Sequence, residues 1–249
     1  MDAVEKKGLI IVTGGSRGIG AVLCGKLAAL GYAVAVNYAT QPAAAEAVVS
    51  GITAAGGRAA AFKADVSNEV DVAAMFAAAH EKLGPLIGLV NNAGVLGGSS
   101  RVETLQIDAL RRMLEINVIG TMLCAREAVR GLSTKHGGAG GAIVNLSSVA
   151  ARLGGAGEFV HYAASKGAID TFTMGLAREV ADEGIRVNAV APGMIDTEMN
   201  SRERQARVIP AIPIKRAGKA EEVAEAILWL LTPAASYVTG SILTVSGGR

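Results

Sequence analysis

Seven short apolar runs alternate with six longer segments of helical period along almost the whole of this chain, and few folds can absorb such a pattern. The runs are Leu9 to Thr13, Ala33 to Tyr38, Ala59 to Lys63, Gly88 to Asn91, Ala142 to Ser147, Arg186 to Ala191 and Ser241 to Val245. Most of them lack polar alternation, as strands do when both faces are covered. Helical periodicity marks Gly18 to Leu30, Ala43 to Ala55, Val70 to Leu83, Asp108 to Ser133, Tyr162 to Glu183 and Ala220 to Leu231. Strand and helix in repeated succession predict an α/β fold, a doubly wound parallel sheet of about seven strands with helices on both faces and right-handed crossovers. No linker or composition shift divides the chain, so residues 1–249 read as one domain. Asp196 to Arg216 is polar and interrupted by proline, and it reads as a mobile flap rather than a sheet helix.

Composition narrows the function classes. With 51% hydrophobic and 18% charged residues the chain has ample apolar surface to bury, which excludes a disordered protein. A net charge of +2, with both signs interspersed, offers no basic stripe for nucleic acid. The amino terminus carries Asp2, Glu5, Lys6 and Lys7, but the run Leu9 to Val12 is too short for a signal-peptide core. Ala226 to Leu231 falls far below the ~20 residues of a membrane span, so no membrane partner and a cytoplasmic location are expected. Cys24 and Cys124 have no neighbouring ligand residues and read as buried apolar side chains in a reducing compartment, and no metal site is expected. The 32 glycines must each be placed. Gly31, Gly84 and Gly184 fall where helices should stop, whereas Gly137 to Gly141 reads only as a flexible helix-to-strand connection.

The first strand runs directly into Gly14-Gly15-Ser16-Arg17-Gly18-Ile19-Gly20 and then a helix. Glycines here permit unusual dihedrals and a close backbone approach to a pyrophosphate, which the helix amino end attracts through its N–H groups and dipole; this is the Rossmann-type arrangement. The spacing is G-x-x-x-G-x-G rather than the commoner dinucleotide fingerprint. Folds that select NAD end the second strand with a carboxylate for the ribose hydroxyls, but here that segment is Val36-Asn37-Tyr38-Ala39. NADP(H) is therefore the expected cofactor, with NAD(H) possible.

Thr13-Gly14-x-x-x-Gly18-Ile19-Gly20 resembles the short-chain dehydrogenase/reductase family, and further motifs of that family follow in order: Asn91-Asn92-Ala93-Gly94, Asn117, Ser148, Tyr162-x-x-x-Lys166 and Pro192-Gly193. The resemblance spans essentially the whole chain. It implies a catalytic set of Asn117, Ser148, Tyr162 and Lys166. It also implies cofactor contacts from Gly14, Ser16, Arg17, Gly18, Ile19 and Gly20, from Asn37, Tyr38, Ala39, Asp65 and Val66, from Asn92, Ala93 and Gly94, from Tyr162 and Lys166, and from Pro192, Gly193, Ile195 and Thr197. Arg17 matches the basic residue that faces the 2′-phosphate in NADP-preferring relatives, and Asp65 the residue that contacts adenine; a helix-capping aspartate is the other reading of Asp65.

Tyr162 and Lys166 lie one helical turn apart, with roughly 6 Å between their Cβ atoms. A tyrosine pKa near 10 must fall to about 7 for acid/base work at neutral pH, which requires about 4 kcal/mol from a nearby cation, and Lys166 is the available one. By family analogy Lys166 also holds the nicotinamide ribose, Ser148 donates to the substrate oxygen and Asn117 holds a relay water. Ser147 is the rival of Ser148, and the family pattern favours the second serine. The 14-residue interval from Ser148 to Tyr162 is one longer than expected and predicts a bulged loop. His161 is expected on the cleft wall, with Glu158, Phe159 and Val160 shaping its mouth opposite the flap.

The function expected is NADP(H)-dependent interconversion of a ketone or aldehyde and a secondary alcohol. The alternatives are a 3-oxoacyl-thioester reductase, an NAD-dependent sugar or alcohol dehydrogenase, and a non-catalytic nucleotide-binding protein. For a carrier-bound acyl substrate the evidence divides: Ala181-Asp182-Glu183 lacks a basic residue for an acidic carrier, whereas Arg202, Arg204, Arg207, Lys215 and Arg216 make the flap positive. The resemblance implies a homotetramer, or a homodimer, pairing through the two long helices.

Overall fold

The sheet is built from β1 (Leu9–Val12), β2 (Ala33–Tyr38), β3 (Arg58–Lys63), β4 (Leu86–Asn91), β5 (Gly141–Leu146), β6 (Ile185–Pro192) and β7 (Ile242–Val245), the seven strands anticipated from the apolar runs. The computed structural model describes residues 7–249, so the charges at Asp2, Glu5 and Lys6 lie outside the described residues. All neighbours pair in parallel, in the order β3-β2-β1-β4-β5-β6-β7. Strand order reverses at the β1/β4 junction, and in such sheets the crevice outside the carboxyl ends at that point takes ligands.

The helices are α1 (Gly18–Ala29), α2 (Pro42–Ala54), α3 (Glu69–Leu83), α4 (Ile107–Leu114), α5 (Thr121–Leu132), α6 (Ala150–Leu153), α7 (Val160–Val180), α8 (Arg202–Val208) and α9 (Ala220–Leu231). Successive residues of β1 point to opposite faces and so to two cores. Ile10 and Val12 pack with Leu23 and Leu27 of α1, Ile52 of α2 and Ile227 of α9. Leu9 and Ile11 pack with Met75 of α3, Cys124 and Ala128 of α5 and Leu176 of α7. Both faces are thus covered, which is why the strands carry no polar alternation. Cys24 and Cys124 are buried free thiols, as expected, and burial raises both pKa values, that of Cys124 to about 12. No described helix is long and apolar enough to cross a membrane.

The structure departs from the sequence pattern in three places. The segment expected as one helix from Asp108 to Ser133 holds a π-helical turn, Glu115–Gly120, between α4 and α5. The 14-residue interval before Tyr162 contains the short helix α6 and a glycine-bearing turn. The expected flap, residues 196–216, contains α8, which Ser201 starts by accepting a hydrogen bond from the Arg204 N–H, with Gln205 buried beneath it. A seven-residue helix is too short for periodicity to reveal against its polar composition.

The Gly137–Gly141 cluster is a packed corner rather than a loose connection. A Cβ on Gly138 would stand 2.4 Å from the Leu132 carbonyl, and one on Gly140, at φ +78°, would stand 2.6 Å from the Gly184 oxygen. Gly138 and Gly140 donate to the carbonyls of Ser133 and Leu132. Strain at positive φ plus overpacking predicts that Gly140→Ala costs about 2–4 kcal/mol in a urea-unfolding measurement. Gly51→Ala, on α2 with nothing within 4 Å of the added methyl, should be neutral or stabilising by up to about 1 kcal/mol.

Candidate active site

The glycine turn owes its shape to contacts from two strand ends. Gly14 adopts φ +60°, and its N–H donates to Asn37 Oδ1 at 3.1 Å. Asn37 is buried at the end of β2, and its Nδ2 donates to the carbonyls of Ala64 and Phe62. At the end of β4, Asn92 Nδ2 donates to the carbonyls of Thr13 and Gly14 at 2.9 and 3.0 Å. The Thr13 hydroxyl accepts from the Asn92 and Ala93 N–H groups at 2.9 and 3.0 Å.

A Cβ on Gly20 would lie 2.5 Å from the Gly14 oxygen, so backbone meets backbone where a side chain would stand. Arg17, at the start of α1, provides no side-chain cap, and the first turn has no acid. The helix therefore presents free N–H groups and an uncompensated positive end. Thr197 lies over the turn, its methyl 3.7 Å from where a Gly18 Cβ would be. This donor set and cradle fit the pyrophosphate of a dinucleotide.

Beside it, a cavity of about 280 Å³ opens among the carboxyl ends of the strands. Ser148, Tyr162, Lys166, Asn92, Gly94 and Ile195 are among the residues that line it. Ser148 follows β5, and Tyr162 and Lys166 lie in the first turns of α7. Burial raises the Tyr162 phenol above its ordinary range, while Ser148 and the charge of Arg204 work against that rise. Lys166 is buried, donates to the Leu146 carbonyl at 2.6 Å and holds its ammonium 5.8 Å from the Tyr162 ring centre. Burial lowers the Lys166 pKa to about 8, opposed by Asp170 one turn later. Lys166 remains a cation at neutral pH, but the lowered tyrosine pKa expected from it is not found: burial outweighs Ser148 and Arg204 and keeps the Tyr162 pKa raised.

Asn117 sits in the π turn. Its Oδ1 accepts from the Val95 N–H at 2.8 Å and its Nδ2 donates to the Val95 carbonyl and to Ser165 Oγ. A Cβ on Gly94 would stand 3.3 Å from Asn117 Oδ1 and 3.6 Å from Lys166 Nζ, so this glycine leaves room beside both. Ser147 is buried, and its hydroxyl donates to the Lys166 carbonyl at 3.4 Å.

The remaining expected contacts divide into two groups. Ile19, Pro192, Gly193 and Thr197 join the cavity wall, while Tyr38, Ala39, Asp65 and Val66 lie beyond it at the ends of β2 and β3. Asp65 accepts from Ser67 and from Arg112, the latter at 2.6 Å. Burial alone would raise its pKa, but those partners hold it below the usual carboxylate value. Arg17 is exposed and lies 3.6 Å from Glu198. His161 does not line the cavity; α7 turns it towards the loop after β4, where Nε2 bonds the Gly98 carbonyl at 3.0 Å. Glu158 and Phe159 do line it, and Val160 does not. Thr13, Ser165 and Arg204 were not singled out for the site from sequence. Arg204 in particular is one of several flap arginines, and only its placement distinguishes it.

A family profile described as Enoyl-(Acyl carrier protein) reductase matches residues 14–249. The chain is 54% identical to YgfF of Escherichia coli K12, an oxidoreductase of uncharacterised activity, over 97% of this chain and 99% of that protein. A short-chain dehydrogenase/reductase from Serratia marcescens superposes with a TM-score of 0.91 at 37% identity, covering 99% of both chains. Two further solved structures hold nicotinamide cofactors. A blue fluorescent protein from a metagenomic library, in complex with NADPH, has a TM-score of 0.91 at 33% identity, over 99% of both chains. A 7α-hydroxysteroid dehydrogenase complexed with NADH and 7-oxo glycochenodeoxycholic acid has a TM-score of 0.90 at 33% identity, over 98% of this chain and 94% of that one.

Removing the Thr13 hydroxyl strands the Ala93 N–H at the sheet crevice and leaves the Asn92 N–H only its bond to the Val90 carbonyl. Thr13→Val should cost about 1–3 kcal/mol in chemical unfolding. It should also weaken NADPH binding at least tenfold in a fluorescence titration, because the turn loses its tie to β4.

Proposed function

Because the chain belongs to the short-chain dehydrogenase/reductase family and is an NAD(P)-dependent oxidoreductase, we propose that it interconverts a carbonyl compound and its alcohol with NADP(H), Tyr162 serving as acid and base. The observation that carries this reading is the convergence of Ser148, Tyr162 and Lys166 on the cavity beside the glycine cradle. The nicotinamide, when bound, supplies or accepts the hydride at the substrate carbon. Ser148 donates a hydrogen bond to the substrate oxygen, where negative charge develops during reduction, and such a donor is typically worth 100-fold or more in rate. Tyr162 gives its phenolic proton to that oxygen, or takes one in the alcohol-oxidising direction. Ser148, Arg204 and the Lys166 ammonium favour the phenolate that the step creates, against the burial that disfavours it. Asn117 braces the loop after β4 and leads the proton path from Lys166 to water.

Two features support NADP(H). The end of β2 has no carboxylate to repel a 2′-phosphate, and Asn37 is spent on backbone groups. Arg17 meets Glu198 with both side chains more than half exposed, a pairing worth little, so it can turn to a phosphate at small cost. The whole chain acts as one catalytic domain, with residues 196–216 over the cavity. Leu114, Ile119, Met122 and Met174 are exposed on the two long helical segments, which supports assembly into a homotetramer through them.

Tyr162→Phe should lower turnover in an NADPH-oxidation assay by about 100-fold to 10,000-fold, with NADPH affinity in a binding titration changed by no more than about threefold. Arg17→Ala should raise the NADPH dissociation constant about tenfold or more and leave that for NADH unchanged; equal effects on the two would overturn the NADP assignment.

A further inference from the structure

We propose that the carbonyl substrate carries a carboxylate, gripped by Arg204 of the α8 segment. The inference rests on the reading of Ser148 and Tyr162 as the reacting end of the cavity. The flap is basic in sequence, but most of its cations are spent locally. Arg202 pairs with Asp196 at 3.0 Å, Arg216 with Glu222 at 2.6 Å and Arg207 with Glu158, while Lys215 donates to the Pro210 carbonyl. Among the described residues Arg204 has no carboxylate within salt-bridge distance. Its Nη1 donates to Asn200 Oδ1, and its Nε is buried without any partner. Its guanidinium carbon lies 4.5 Å from the centre of the Phe159 ring.

A buried N–H without an acceptor is costly and calls for an explanation. In Arg204 the atom left over belongs to the Nε–Nη2 edge, the side of a guanidinium that holds a carboxylate through two parallel hydrogen bonds. Phe159 supports the plane of that fork. Arg204 also lines the same cavity as Ser148 and Tyr162. Glu158, the carboxylate on that wall, pairs with Arg207 and also acts on the Arg204 charge, so these three side chains together leave one positive charge. The cavity therefore favours an anion beside the reacting groups.

The test uses 2-oxobutanoate, 3-oxobutanoate and 4-oxopentanoate, each beside its methyl ester. Binding to the NADP⁺-saturated enzyme is followed by calorimetry, and turnover by NADPH oxidation. At least one acid should bind and react at least tenfold better than its ester. Arg204→Gln should bring that ratio close to one, and Arg204→Lys should restore part of it. Any effect of Arg204 on Tyr162 is common to acid and ester and cancels in the ratio. A ratio near one for every wild-type pair, a ratio unchanged in Arg204→Gln, or an equal loss of NADPH affinity in the variant would overturn the proposal. Arg204-dependent acid binding without turnover would uphold it and count against the acid/base chemistry assigned to Tyr162.

Discussion

The tie between β1 and β4 at their carboxyl ends is the constraint on which the site depends. Thr13 and Asn92 exchange hydrogen bonds there, backbone to side chain in both directions, and so lock the glycine turn to the next strand of the sheet. From the other side Asn37 clamps the same turn to β2. Three polar side chains in the sheet crevice would be expensive if left unpaired. Paired as they are, they hold the glycine turn in a shape that fits a pyrophosphate and fix where α1 begins.

Burial sets the electrostatics around Tyr162 and Lys166. Desolvation drives the phenol of Tyr162 towards its neutral form and weakens the hold of Lys166 on its proton. Neither residue is tuned by the other alone. Lys166 is held by the Leu146 carbonyl, Asp170 favours its charge, and Ser148 and Arg204 favour the phenolate. The π turn serves the same end: it places Asn117 where both amide atoms meet the backbone of Val95, which fixes the loop carrying Gly94 beside Lys166.

Much of this was legible beforehand because the signals are local. A strand covered on both faces cannot hide its apolar run, so β1 to β7 could be read with small boundary shifts. Ser148, Tyr162 and Lys166 could be read from their order after the glycine turn. What was illegible depends on partners distant in sequence. His161 looked like cleft wall, but which face of α7 it occupies is settled by Gly98. The Gly137–Gly141 cluster looked loose because the backbone of Leu132 and Gly184 that crowds it comes from other elements. The π turn interrupts the expected continuous helix without disturbing its apolar period, and only the close approach of Val66 to Gly120 shows why that position has no side chain.

The sequence by itself determined the alternation of strands and helices, the glycine turn, the absence of a carboxylate at the end of β2 and the order of Ser148, Tyr162 and Lys166 along the chain. Each of these follows from a residue type at a fixed spacing. Only the tertiary structure decided which charges are free. Arg202, Arg204, Arg207 and Arg216 are equivalent in composition, yet three meet carboxylates and the fourth lines the cavity with a polar atom unpartnered among the described residues. Charge is a property of the residue. Whether it is neutralised depends on which neighbours folding brings within hydrogen-bond reach.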